Sequence, residues 1–277
     1  MSLKRYLEQI RAGKQINWDK FHGLLPLGYE DDWRDIFTVT KRGAKQWQVT
    51  VIDPIRYEQL LAAAEKPANR IQASAQGDSH LATTTCSYLL VYRMGLPDAR
   101  PDVVLLKPEG AVQGFAAKKQ LLLVENEENF FHPELMLDVA SDMLGQTLTL
   151  ANTDVALASG SQGLSPQRVH WYQHYAEVIC AFDYDTAGLE MYAALNKQMR
   201  RNREQQEGVS TQVSYLQPHD YSAWLPLFKC QPKSDKSYMR GRKLASELGF
   251  VALEKAFAKT RKFMEQEMLL RDRVNTE

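Results

Sequence analysis

The sequence predicts an α/β fold, in which a parallel sheet with flanking helices follows a smaller, mainly helical N-terminal domain. Two observations support this prediction. From Gln120 onward, short continuous apolar segments alternate with longer amphipathic ones, as is typical of parallel strands buried on both faces. A length of 277 residues allows one or two domains. We expect an N-terminal domain over 1–75, a connecting segment with strands over 76–117, the sheet domain over 118–230 and C-terminal helices over 231–277.

The strands of the predicted parallel sheet are short apolar runs. We assign four of them: LLLVE ending at Glu125, VALAS ending at Ser159, VICAFD ending at Asp183, and QVSYL ending near Leu216. Helices fill the intervals, and a proline in the first turn marks two of their starts, at Pro133 and Pro166. A third helix runs from Gly188 through Arg203, and two helices separated near Gly249 form the tail.

The N-terminal region reads as short helices followed by alternating strand-like residues around Val49 and a helix that begins at Asp53-Pro54. This order is compatible with a winged-helix module. Residues 66–79 are rich in Ala, Gln, Pro and Gly and lack periodicity, so we predict a linker or exposed loop there. Beyond it, 88–92 and 103–106 are apolar segments that we expect to pair as strands.

Composition excludes several classes of protein. The 34 basic and 34 acidic side chains balance, so any affinity for nucleic acid must come from local patches. Cys86, Cys180 and Cys230 are too few and too scattered for a disulfide framework or a zinc cluster, and they suit a reducing compartment. The charged start is unlike a signal peptide, and no apolar run reaches the ~20 residues that span a bilayer. We therefore expect a cytoplasmic protein without membrane insertion.

Three acidic residues stand where the predicted strands end. Glu125 closes the first strand, and Asp183 and Asp185 straddle the end of a later one in CAFDYDTAGLE. Functional groups of open α/β sheets gather beyond the carboxyl ends of the strands, so these acids meet if the two strands are neighbours. Hard oxygen ligands of this kind suit Mg²⁺ or Mn²⁺. The simpler alternative for Asp185 is that it only caps the following helix.

Three segments carry a resemblance to the Toprim fold over roughly residues 118–220. LLLVENEENFF resembles its glutamate motif, VALASGSQGLS its second strand and glycine turn, and VICAFDYDTAGLEMYAAL its DxD strand and helix. The Glu125-Asn126 pair and the D-x-D-x-x-G spacing resemble the branch shared by the topoisomerase VI A subunit and the Wadjet nuclease subunit JetD. Within that branch the chain is most similar to the MksG nuclease subunits of the SMC-like plasmid-defence complexes MksBEFG.

The resemblance implies a metal-dependent DNA endonuclease that uses Mg²⁺ or Mn²⁺. It implies Glu125 as acid/base or metal ligand, and Asp183 and Asp185 as metal ligands. It also implies DNA and SMC-like ATPase subunits as partners, and a homodimer that cuts both strands. The topoisomerase branch attacks DNA with a tyrosine in a paired-aromatic motif of its winged-helix domain. That context is lacking here for Tyr6, Tyr29, Tyr57, Tyr88 and Tyr92, so we favour hydrolysis. A non-catalytic Toprim scaffold that binds DNA or protein, and an RNA-processing Toprim nuclease, stay open as alternatives.

Further residues are candidates for supporting roles. Asp154 and Asp220 lie near strand termini and are either supporting acids or ordinary loop residues. Ser159 and Gly160 form a glycine-containing turn whose backbone amides either meet a DNA phosphate or serve only as a turn. A basic cluster precedes and enters a tail helix, and it either holds the DNA backbone or is a solvated helical face. Its members are Lys233, Lys236, Arg240, Arg242 and Lys243.

Overall fold

A computed structural model of the chain contains two compact units, residues 1–85 and 86–277. The structure describes residues 2–26, 28–65, 70–75, 82, 84–205, 210–271 and 273. None of the helices within these ranges is both long enough and apolar enough to cross a membrane.

The N-terminal unit combines helices with one two-stranded antiparallel hairpin. Its elements in chain order are α1 (Leu3–Arg11), α2 (Trp18–His22), α3 (Tyr29–Ile36), β1 (Phe37–Gly43), β2 (Gln46–Val51), α4 (Pro54–Ala63) and α5 (Arg70–Ala75).

Side-chain caps and an aromatic core explain these elements. The Asp53 carboxylate accepts two backbone N–H bonds at the start of α4, as predicted, and Ser2 and Asn17 cap α1 and α2 in the same way. Trp18 and Phe21 pack in the core, with ring centroids 5.4 Å apart. The segment that we predicted as a linker contains α5, while its residues 66–69 and 76–79 lie outside the described part of the chain.

The C-terminal unit is an α/β domain on a seven-stranded mixed sheet, with strand order β5-β4-β3-β7-β6-β8-β9. The strands are β3 (Ser87–Tyr92), β4 (Asp102–Lys107), β5 (Gly110–Val112), β6 (Gln120–Val124), β7 (Thr153–Leu157), β8 (Glu177–Ala181) and β9 (Gln212–Tyr215). The strands β7, β6, β8 and β9 are mutually parallel, as predicted. The predicted pairing of β3 with β4 is antiparallel, and both join the same sheet through β7.

Helices flank this sheet and bury its central strands. They are α6 (Glu127–Phe130), α7 (Pro133–Leu144), α8 (Pro166–Tyr172), α9 (Thr186–Gln205), α10 (Asp235–Glu247) and α11 (Val251–Thr260). Residues 121–124 of β6 are completely buried, which accounts for the uninterrupted apolar run in the sequence. The two tail helices contribute Leu244 and Phe257 to the same hydrophobic core as the strands. Residues 231–271 are therefore part of the sheet domain.

Candidate acidic metal site

The strands that carry Glu125 and Asp183 are direct neighbours. Val124 of β6 pairs with Ala181 of β8 in parallel register, so both acids follow the carboxyl edge of the sheet. The Glu125 N–H donates to the Ala181 carbonyl at 3.1 Å and extends the ladder by one residue. The Asp183 N–H then donates to Glu125 Oε2 at 3.1 Å. The Glu125 carboxylate is thereby fixed against the backbone of Asp183.

A segment from the end of the chain crosses this edge. Tyr184, which lies between the two aspartates, forms an antiparallel bridge with Met264, with N···O distances of 2.9 and 3.2 Å. Two residues further on, the Gln266 N–H donates to Asp183 Oδ1 at 2.7 Å. The sequence resemblance ends near residue 220, so this segment lies outside every motif that we had assigned to the site.

Asp185 was expected either to bind a metal ion or only to cap the following helix. In the structure it caps α9. Its Oδ1 accepts the Gly188 N–H at 2.8 Å, and its carbonyl accepts the Leu189 N–H at 3.2 Å. The geometry also explains the glycine of the D-x-D-x-x-G motif. A Cβ at Gly188 would lie 2.0 Å from the Asp183 carbonyl oxygen, so a larger residue would displace the turn that carries the aspartates.

Burial and mutual repulsion disfavour ionisation of the acid pair. Burial raises the pKa of Asp183 to about 7, and the charges of Glu125, Asp185 and Glu267 add to the effect, while the hydrogen bond from the Gln266 N–H opposes it. Burial also raises the pKa of Glu125, against the hydrogen bond from the Asp183 N–H, and the charges of Asp185 and Glu267 raise it further. A bound cation would favour the ionised form of both carboxylates.

The donor set fits a hard divalent cation through Glu125 and Asp183. Both acids supply carboxylate oxygens, and in each a backbone N–H holds one oxygen and orients the group. Among the described residues, no group of three or more His, Cys, Asp or Glu side chains is close enough together to hold a metal ion. Of the three acids expected to form the site, Glu125 and Asp183 lie together, while the Asp185 carboxylate is directed to the start of α9.

Three residues stand beside the acid pair: the sequence indicates Asn126 only through the resemblance of the Glu125-Asn126 pair, and it does not indicate Gln266 or Glu267 at all. Asn126 caps α6 through its Oδ1, and its Nδ2 donates to Glu267 Oε1 at 2.7 Å. Glu267 brings a further carboxylate to the edge, and Gln266 contacts both strand ends. These contacts join residues about 140 positions apart, and no local pattern in the sequence predicts them.

Neither proposed supporting acid contacts the pair in the described structure. Asp154 pairs with Leu121 in the register of β6 and β7, at the opposite end of the strands from Glu125. It is fully buried, accepts bonds from the Lys118 N–H and the Tyr175 hydroxyl, both at 3.0 Å, and has its pKa raised by burial. Asp220 is exposed and accepts bonds from the N–H and hydroxyl of Ser222. Asp154 is a buried structural acid, and Asp220 orders its own loop.

The predicted glycine turn lies at the carboxyl edge. The Ala158 N–H donates to the Val124 carbonyl at 2.7 Å, so the chain leaves β7 beside the strand that ends at Glu125. Ser159 and Gly160 then adopt left-handed conformations, with φ of 53° and 57°. The buried Arg168 side chain braces this turn by donating to the Ala158 carbonyl at 2.8 Å.

The predicted basic cluster is largely neutralised by nearby acids. Arg240 pairs with Glu190 at 3.1 Å, and Lys243 pairs with Glu247 at 3.5 Å. Arg242 is held by Glu254, which raises the pKa of the guanidinium. Lys233 and Lys236 are exposed and form no ion pair with the residues that the structure describes. Of the two interpretations of the basic cluster, this arrangement favours a solvated helical face over a continuous positive patch that would hold the DNA backbone.

Comparison with known proteins assigns no family to the chain. No protein-family model matches it, and no curated protein matches it at a significant level. Function is therefore inferred from the residues at the carboxyl edge of the sheet.

Proposed function

We propose that the protein is a Toprim-like, metal-dependent DNA endonuclease that hydrolyses phosphodiester bonds. One observation carries the proposal: Glu125 and Asp183 end adjacent parallel strands and are joined by a hydrogen bond of 3.1 Å. Open α/β sheets bind their ligands at this edge. The segments that resemble the Toprim motifs contain both residues, and Gly188 is sterically required at its place in the D-x-D-x-x-G motif.

The proposed roles follow from the surroundings of each acid. Glu125 and Asp183 would hold Mg²⁺ or Mn²⁺, and the ion would supply Lewis-acid activation of the phosphodiester. Glu125 is the candidate for proton transfer, and burial raises the pKa of its carboxyl above the ordinary value. The backbone N–H of Asp183 keeps the Glu125 carboxylate in one orientation during that transfer.

The partners follow from charge and from the reaction. The chain carries no net charge, so electrostatic capture of DNA by the whole surface is weak, and recruitment by SMC-like ATPase subunits would compensate for it. Cleavage of both strands by one active site per chain would require a homodimer. In the N-terminal unit, three helices followed by the β1–β2 hairpin support a winged-helix module.

A non-catalytic scaffold is the second candidate function. It is favoured by one observation, namely that Asp185 caps α9 and no three acids among the described residues converge on one point. A scaffold would bind DNA or protein without needing a metal ion. The two candidates therefore differ in whether divalent cations change what the protein does to nucleic acid.

Cleavage of supercoiled plasmid tests the proposal. The purified protein is incubated with Mg²⁺, Mn²⁺ or EDTA, and Glu125→Gln and Asp183→Asn are compared with wild type. Asp220→Asn is the matched control, because it neutralises an exposed acid of the same domain that does not contact the pair. We expect metal-dependent nicking that falls roughly 10²- to 10⁴-fold in both site variants and persists in the control.

Absence of nicking in wild type with either metal would favour the scaffold. A structured RNA substrate is run in parallel, and preferential cleavage of that RNA would move the proposal to an RNA-processing nuclease. Nicking that survives in both Glu125→Gln and Asp183→Asn would exclude this edge of the sheet as the active site.

A further inference from the structure

The side chain of Gln266 connects the two strand ends that carry the acid pair. It is completely buried, its Oε1 accepts the Asn126 N–H at 3.1 Å, and its Nε2 donates to the Ala181 carbonyl. Asn126 directly follows Glu125, and Ala181 lies two residues before Asp183. The amide therefore joins the backbone next to one acid to the backbone next to the other.

The backbone of Gln266 completes the same network. Its N–H donates to Asp183 Oδ1 at 2.7 Å, and its carbonyl accepts the Asn129 Nδ2 at 2.9 Å. Every polar group of the residue thus has a protein partner at this edge. We propose that Gln266 is a positioning residue of the nuclease site: it fixes the spacing of Glu125 and Asp183 so that both carboxylates bind one divalent cation. This inference rests on the function proposed above.

The chemistry of the position explains why glutamine is suited to it. The side chain must accept from an N–H and donate to a carbonyl at once, and an uncharged amide does both. Glutamate would place a second oxygen against the Ala181 carbonyl. Methionine has a similar shape but would leave the Asn126 N–H and the Ala181 carbonyl without this partner. An apolar side chain could fill the same volume, so packing alone does not require an amide here. The amide is required by the two hydrogen bonds that hold the two strand ends in place.

The test measures Mn²⁺ affinity by isothermal titration calorimetry on the full chain, with plasmid nicking as a second readout. Gln266→Met removes both amide hydrogen bonds at nearly constant volume. Leu269→Ala is the matched control, because Leu269 is buried in the same 3-10 helix (Gln266–Leu269) and its truncation destabilises the segment without removing a polar contact. We expect Gln266→Met to bind Mn²⁺ roughly 10- to 100-fold more weakly, as is typical when an outer-shell partner of a metal ligand is removed.

In the nicking assay, kcat should fall in Gln266→Met while KM for plasmid stays within about twofold, because DNA contacts are retained. Leu269→Ala should lose thermal stability and keep the wild-type Mn²⁺ affinity. If Gln266→Met does not fold, Gln266→Leu is measured against the same expectations, because it also removes the donor and the acceptor of the amide and adds no charge beside the acid pair.

Three negative results are distinguishable. Wild type that binds Mn²⁺ and nicks plasmid, with the folded Gln266 variant unchanged in both, would overturn the role of Gln266 and leave the nuclease standing. Equal losses of Mn²⁺ affinity in Leu269→Ala and Gln266→Met would also overturn it, because the effect would then be general loosening of the segment. Wild type that neither binds Mn²⁺ nor nicks plasmid would overturn the proposed function and this inference together.

Discussion

Replacing Asp183 with asparagine should stabilise the metal-free protein at alkaline pH. The substitution removes one of the charges that repel each other at the edge of the sheet. It also keeps an oxygen that accepts the Gln266 N–H, the hydrogen bond that measures 2.7 Å in the wild-type structure. The overall shape of the side chain does not change, so packing costs are small.

The magnitude follows from the pKa of Asp183, which is raised from 3.8 to about 7. Each pKa unit corresponds to about 1.4 kcal/mol, so complete ionisation of Asp183 removes about 4 kcal/mol from the free energy of unfolding. The folded state retains the proton longer than the unfolded state. The stability of the fold with a protonated Asp183 is therefore fully present below pH 3.8. It is lost as the pH rises to about 7 and the buried carboxyl ionises.

Urea unfolding in EDTA measures the effect. We expect Asp183→Asn to exceed wild type by about 4 kcal/mol at pH 8 and by less than half of that at pH 5, where the folded wild type keeps its proton. Asp220→Asn is the control and should show no comparable gain. If Asp183→Asn is equal to or less stable than wild type at pH 8, or if its gain does not change with pH, then the ionised Asp183 carboxylate does not destabilise the metal-free fold.

Two further substitutions test the turn that carries the aspartates and the role of Asp154. Gly188→Ala should destabilise the fold by about 3 kcal/mol or more and abolish nicking, because its Cβ would meet the Asp183 carbonyl oxygen at 2.0 Å. Gly114→Ala is its control in thermal unfolding, since no atom lies within 4 Å of the added Cβ. Tyr175→Phe removes one donor to the buried carboxylate of Asp154 and should cost about 1–3 kcal/mol in urea unfolding. Its nicking rate should match that of wild type, and a large loss would return Asp154 to the site.

The parallel strands and their acidic ends were predictable because complete burial leaves a readable pattern. Residues 121–124 are buried on both faces, so the sequence there is continuously apolar and ends at Glu125. The same logic located Asp183. That β6 and β8 are adjacent in the sheet had to be assumed, because the order of strands in a sheet cannot be read from the sequence. The structure supplies that adjacency directly.

The incorrect and missed assignments have one physical reason. The position of a residue in the sequence does not reveal which distant residues surround its side chain. Asp154 is the second residue of β7 and so lies at the amino end, away from Glu125. Arg242 belongs to a basic run in the sequence, yet Glu254 on the next helix neutralises it. Gln266 was missed because its role comes entirely from contacts with residues far earlier in the chain.

We propose that Glu125 and Asp183 bind one divalent cation. Crystals of the protein grown with Mn²⁺ and measured at the manganese absorption edge test it most directly. We expect an anomalous peak at the carboxyl edge of the sheet, about 2.2 Å from a carboxylate oxygen of each of the two residues. A manganese peak elsewhere on the chain, or none at this edge at saturating Mn²⁺, would contradict it.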